Sequence, residues 1–344
     1  MKLTSKVLPI KYPIITSYPW HAGHLAILSA YDHCSPWIFS HYIQLKGSLK
    51  KLKARASQGL DFLFFDYEYS SAIPWFRPLS QKLNKNTMHM ILKKYTLSDF
   101  IIDNIKDNFY ISFHLDDFYL KETNMYMTYH IHHENMIYGY NSHDKTFNIC
   151  GFYKDHSFSF SKISFKDLEK AFNHSKDHPI KLLKLRDDIQ WALDIDIIKD
   201  FLNDYVLSLD SSRKMGIYSE PFYYEKIFTW GMDNYENIYQ YITHMETMKE
   251  ADIDIRPFHL LWDHKKYMTE LCHFLNESNH LNDAGHIIES YNAIEKTALA
   301  LRNKIIKFMI SGEWKLIKHL YLQLERIATE EEKLIHHIIN NIKT

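Results

Sequence analysis

The apolar positions of this 344-residue chain change their rhythm between residues 190 and 215. Upstream, apolar runs are short and broken by turns. The run at 22–31 has helix length, and a second at 37–45 follows a break at 32–36. Strand-like runs come next, at 60–65, 87–92, 109–115, 135–140, 146–150, 157–163 and 180–185. Ser and Phe alternate around Phe158 and Phe160, with Ile163 beyond, the period-2 pattern of a half-buried antiparallel strand. Thr96, with Asp99 three residues on, marks a helix start, and the polar stretch 141–145 marks a hairpin turn. Downstream, segments 196–207, 235–248, 257–275, 284–309 and 314–342 carry apolar residues at i, i+3, i+4 and i+7. In the last segment Leu316, Leu320, Leu324 and Ile327 form one stripe. The pattern predicts an α+β domain with a mostly antiparallel sheet over 1–190, followed by an α-helical bundle over 191–344.

Composition narrows the function. At 46% hydrophobic and 24% charged, the chain has a core-forming composition. A net charge of -1 removes the basic footprint of a nucleic-acid binder. There are nine glycines, and no two lie closer than twelve positions, as at Gly47 and Gly59. That spacing excludes a Rossmann G-x-G-x-x-G and a P-loop, whose tight turns need glycines a few residues apart. The cysteines Cys34, Cys150 and Cys272 are widely spaced, which predicts free thiols in a reducing compartment. Neither a signal-peptide core nor a membrane-length apolar run is visible, so a cytoplasmic protein without membrane contact is expected.

The densest chemistry lies in Tyr129-His130-Ile131-His132-His133-Glu134. On a strand, His130 and His132 share one face and His133 takes the other. As metal ligands, His130 and His132 lack a third partner at a recognisable spacing, so no metal or cofactor is expected. His133 reads as a general base facing a cleft, although many of the 22 histidines must be ordinary surface or core residues. Cys34 precedes a candidate helix with Pro36 at its start, a setting that suits an activated thiol. Cys150 and Cys272 read as buried core cysteines. Asp116 and Asp117 end a strand, and locally they read as solvated turn residues. His21 and His24 share a helix face without a third ligand, and the basic run 50–55 reads as a solvated helix face.

A resemblance sharpens this reading. His133 stands six residues before Gly139, across an apolar strand, and Asn141 lies in the turn that follows. Upstream, Asp116-Asp-Phe118-Tyr119-Leu120 is followed by Tyr129; downstream come Asp254-Ile-Arg256 and Asp263-His264-Lys265. The order of these segments resembles the butirosin biosynthesis protein H family, whose N-terminal domain is papain-like and related to C39-type peptidases. The resemblance implies a papain-like (C39-like) cysteine-protease-type domain followed by a helical region. It implies an accessory acyltransferase, or a thioesterase-like protein, of peptide or aminoglycoside natural-product biosynthesis, moving an acyl group from an acyl or peptidyl carrier protein to an amine. The partner would be that carrier protein or its nonribosomal peptide synthetase. Cys34 would be the nucleophile, His133 the base and Asn141 the orienting group, with Asp116 as second choice. The chain departs from the pattern at three places. His21, Ala22 and Gly23 stand where the first long helix should open with the nucleophile. Leu28 stands where a Gln would supply an oxyanion donor, and Gly151 where an Asp would follow the second motif strand. The alternatives are therefore a catalytically degenerate papain-like scaffold that binds a carrier protein or synthetase and, third, a peptidase.

Overall fold

The structure, a computed structural model, describes residues 4–56, 59–62, 73–76, 81–175, 179–212, 214, 228–249, 253–318 and 320–343. Two compact units divide it: Met1–Cys34 with Glu68–Gln190, and Ser35–Tyr67 with Trp191–Thr344. In chain order the elements are β1 (Ser5–Val7), α1 (Pro19–Leu28), α2 (Ser35–His41), β2 (Leu45–Gly47), α3 (Leu49–Lys53), β3 (Leu60–Phe62), β4 (Gln81–Leu83), α4 (Lys85–Leu92) and α5 (Leu97–Lys106). There follow β5 (Tyr110–Asp116), β6 (His132–Asn141), β7 (Thr146–Phe152), β8 (Phe158–Ser164), α6 (Phe165–Asn173), β9 (Ile180–Leu183) and α7 (Ile195–Val206). The chain ends with β10 (Thr229–Trp230), α8 (Asn234–Met248), α9 (Arg256–Glu277), α10 (Ala284–Ser311), α11 (Lys315–Lys318) and α12 (Leu320–Asn341).

The first unit is α+β. Its sheet runs β4-β9-β5-β6-β7-β8, every pairing antiparallel, and β1 adds to the far end of β6. The strand at 157–163 forms as β8, but its burial does not follow the expected alternation: Phe158 is buried and Phe160, on the same face, is exposed, while Ile163 is buried on the other face. Thr96 caps α5, its Oγ1 accepting from the Asp99 N–H at 3.0 Å. One expectation fails here. Residues 87–92 form part of α4, not a strand, because the Asn84 side chain accepts from the Thr87 N–H and starts a helix. The strand expected at 60–65 is present as β3, and residues 63–65 lie outside the described ones.

The second unit holds the C-terminal helices and also Ser35–Tyr67, which the expected 1–190 domain had placed with the sheet. Hydrogen bonds explain the difference. Strand β2 pairs with β10, Gln44 Nε2 donates to Leu209 O and Ser211 Oγ at 2.9 Å each, and Tyr267 O–H donates to Ile38 O. A three-stranded antiparallel sheet, β10-β2-β3, results.

A buried ionic network ties five helices of this unit together. Lys265 (α9) and Glu331 (α12) are both 0% exposed, and Lys265 Nζ donates to each Glu331 oxygen at 2.6 Å. Tyr205 (α7), Tyr235 (α8) and Tyr291 (α10) donate to the same carboxylate at 3.2, 2.6 and 3.0 Å. Lys265 also donates to His264 Nδ1, whose Nε2–H reaches Ile43 O at 2.8 Å. Burial, with Lys265 beside it, pushes the His264 imidazole well below its usual range, so it serves as a neutral relay. Replacing Glu331 by Gln removes the charge that Lys265 and three phenols converge on. A loss of about 3–5 kcal/mol in urea unfolding is expected, against about 1.5–3 kcal/mol for Tyr291→Phe, which removes one hydrogen bond to a charged group. Equal, small losses for both variants would contradict this.

Candidate functional site

The site forms where β5 ends and β6 begins. The two strands pair with Asp116 opposite His132, so residues just beyond each end are neighbours. The chain leaves β5 through a 3-10 turn at Asp117–Tyr119, which Asp116 caps by accepting from the Phe118 N–H at 3.2 Å. The Asp117 N–H donates to Ile131 O at 2.8 Å, and Thr123 Oγ1 donates to Asp117 O at 3.0 Å. Both carboxylates are thereby drawn out of water, Asp116 to 1% and Asp117 to 3% exposure.

Each buried carboxylate holds one imidazole. His133 Nδ1–H donates to Asp117 Oδ2 at 2.6 Å, and His130 Nδ1–H donates to Asp116 Oδ2 at 2.7 Å. His130 also stacks on Phe118, ring centroids 4.2 Å apart. The His133 side chain is 44% exposed, and among the described residues its Nε2 has no protein partner. A buried carboxylate on Nδ1 fixes the tautomer that leaves a lone pair on Nε2, the arrangement of an imidazole base. The backbone beneath is braced: Asn135 Nδ2 donates to His133 O at 3.0 Å, and the buried Tyr153 O–H donates to Asn135 Oδ1 at 3.0 Å. Gly151 makes room for this brace, since a Cβ there would stand 2.7 Å from Asn135 Oδ1.

Strand alternation turns Glu134 to the other face of the sheet. There Glu134 lines a recess of about 350 Å³ with Pro19, Gly23 and His24 of α1, Ser112 and Cys150. Ser112 Oγ and Lys181 Nζ both donate to Glu134. Burial opposes its charge, but Lys181 and these hydrogen bonds outweigh that and hold the carboxyl down at about 2. His24 Nδ1–H donates to Trp20 O at 2.6 Å, and burial, reinforced by Lys181, pushes His24 down to about 4.

The structure brings His133 and Asp117 together, and Asp116 and His130, but not the expected set. Asn141 lies in the β6–β7 hairpin, donating to Asp144 Oδ2 at 2.7 Å and accepting from the His143 and Asp144 N–H groups. It lies eight steps along β6 from His133, roughly 26 Å at about 3.3 Å per step. Asp117, not Asn141 or Asp116, orients His133. The Asp116–Asp117 pair is buried, not solvated, because the 3-10 turn folds over it. Cys34 ends a 3-10 turn after α1, its N–H donating to Tyr31 O at 2.9 Å, and its free thiol is 0% exposed. Burial pushes its thiol up to about 12, so it lacks the thiolate a nucleophile needs. His130 and His132 turn to different partners: His130 goes to Asp116, and His132 Nε2–H donates to His174 O at 3.0 Å. Asp117 was missed because its partner is 16 residues away and only the strand register reveals the pairing.

No family model matches the chain, and no curated protein matches it. Among the described residues, no helix is long and apolar enough to cross a membrane.

The recess gives a pH dependence whose sign follows from His24. Its folded pKa, about 4, is below the unfolded value near 6.5. The unfolded chain therefore takes up a proton that the folded chain refuses. Stability is full above pH 6.5 and falls as pH drops toward 4, by up to about 3 kcal/mol from this group. Glu134, held low, loses its contribution only as pH falls below the usual carboxylate range. Urea unfolding between pH 7 and 5 is expected to show a shallower pH slope for His24→Gln than for the wild type; identical slopes would contradict this placement of His24.

Proposed function

We propose that this chain is a papain-like, C39-like accessory protein of peptide or aminoglycoside natural-product biosynthesis. It takes an acyl group from an acyl or peptidyl carrier protein thioester and passes it to an amine. The observation that carries this reading is the His133–Asp117 pair, a half-exposed imidazole held at Nδ1 by a buried carboxylate, at 2.6 Å. His133 acts as the general base on the acceptor, and no cysteine intermediate forms. The amine nitrogen attacks the thioester carbonyl while His133 Nε2 takes its proton. The carbon–sulfur bond then breaks, and His133 returns the proton to the departing carrier thiol. The papain-like assignment draws support from the arrangement of the first unit, in which α1 lies against β6 and β7 of an antiparallel sheet. It departs from a Cys–His enzyme in that His133 and the first turn of α1 lie on opposite faces of that sheet.

The second reading is a scaffold that binds a carrier protein or synthetase without chemistry. The buried, protonated Cys34 favours it, together with a first turn of α1 built from Pro19, Trp20, His21 and Ala22. One assay separates the two: the chain is incubated with an acyl-loaded carrier protein and an amine, and the amide product is followed by mass spectrometry. The account predicts transfer by the wild type and by Cys34→Ser, and a loss of about 10²–10⁴-fold for His133→Ala. Carrier binding with no transfer by any form would establish the scaffold instead. Transfer lost in Cys34→Ser would overturn direct attack.

A further inference from the structure

Asp283, His286 and His337 meet on the surface of the second unit, where the start of α10 faces the last turns of α12. Their candidate ligand atoms all lie within 4.8 Å of one another. His337 Nε2 is 2.9 Å from Asp283 Oδ2, and His286 Nδ1 is 3.7 Å from the same oxygen. The two rings stand edge to face, centroids 5.7 Å apart. A tetrahedral zinc ion with ligands at about 2.0–2.2 Å sets neighbouring donor atoms about 3.3 Å apart. The two separations from Asp283 Oδ2 straddle that value, and the third pair of donor atoms lies within 4.8 Å, so rotamer adjustment of the imidazoles would close the set on an ion.

The cluster is held in place by the backbone around it. The Asn282 N–H donates to Asn341 O at 2.9 Å, the Lys343 N–H donates to His280 O at 3.0 Å, and Leu281 bridges Ile342. These bonds fix the loop that carries Asp283 against the end of the helix that carries His337. Asp283 enters α10 with φ of 51°, a left-handed conformation that Asp tolerates better than most residues. Although it occupies the N-cap position, its side chain makes no capping bond. Its carboxylate reaches the imidazoles instead.

We propose that Asp283, His286 and His337 form a binding site for a zinc-class divalent ion. Two imidazoles and one carboxylate are the donor set of open zinc sites, in which the fourth position is left to solvent or ligand. His286 and His337 also line a groove of about 880 Å³, together with Lys333 and the Arg326–Glu330 ion pair. The site is independent of the His133–Asp117 pair and of its proposed chemistry. No short sequence spacing announces it, since His337 lies on a different helix from the other two.

The test uses the full chain freed of metal with EDTA, titrated with zinc chloride by calorimetry and with cobalt chloride by visible absorption. The expected result is one zinc ion per chain and a cobalt ligand-field spectrum. His286→Ala/His337→Ala should weaken zinc binding at least about tenfold and abolish that spectrum. Asp283→Asn, which keeps the residue's shape, should weaken binding as well, and circular dichroism should show both variants folded. Zinc binding of equal strength and stoichiometry in wild type and double variant, or none in the wild type, would overturn the proposal.

Discussion

Lys265 and Glu331 sit fully out of water, 2.6 Å apart, and a charge in that position persists only while its partners remain. The three phenols that donate to Glu331 come from helices far apart in sequence, so one carboxylate sets how α7, α8, α10 and α12 face α9. The same constraint acts in the first unit. Asp116 and Asp117 are buried by the turn that follows β5, and each finds its partner in an imidazole, His130 just before β6 and His133 at its start. Glu134, one residue further on, finds Lys181 and Ser112 on the opposite face. Buried carboxylates thus organise both units, and in the first two of them each hold an imidazole by its Nδ1.

The contrast with Cys34 follows from the same physics. A carboxylate ionises at low pH and must be paired when buried. A thiol can stay neutral, so burial costs it little and silences it. Burial pushes the Cys34 thiol up, to about 12, and so favours its neutral form. His133 is the reverse case: its carboxylate is buried while the imidazole reaches solvent. The available base and the buried thiol are therefore separate elements, and a Cys–His mechanism would need them joined.

Much of the architecture was legible in the apolar pattern, because the patterns with periods of 2 and 3.6 are local. The strands around His133, the Thr96 cap and the long C-terminal helices follow from neighbouring residues. The helix at 87–92 was misread because the Asn84 side chain starts it from outside the apolar run. The placement of Ser35–Tyr67 was hidden because its hydrogen-bond partners lie far downstream. In the site, His133 was visible as a histidine on a strand. Its partner Asp117 was not, since Asp-Asp after a strand looks like a solvated turn until register and burial are known. The Asp283–His286–His337 cluster was invisible for the same reason, being assembled from two helices.

The central claim is that the reactive element is the His133–Asp117 pair and that Cys34 is chemically silent. Iodoacetamide labelling of the native protein, read at each cysteine by mass spectrometry between about pH 5 and 9, tests it most directly. The account predicts slow labelling of Cys34 across this range, unchanged in His133→Ala. Fast labelling of Cys34 at or below neutral pH, lost in His133→Ala, would contradict it and restore the Cys–His pair.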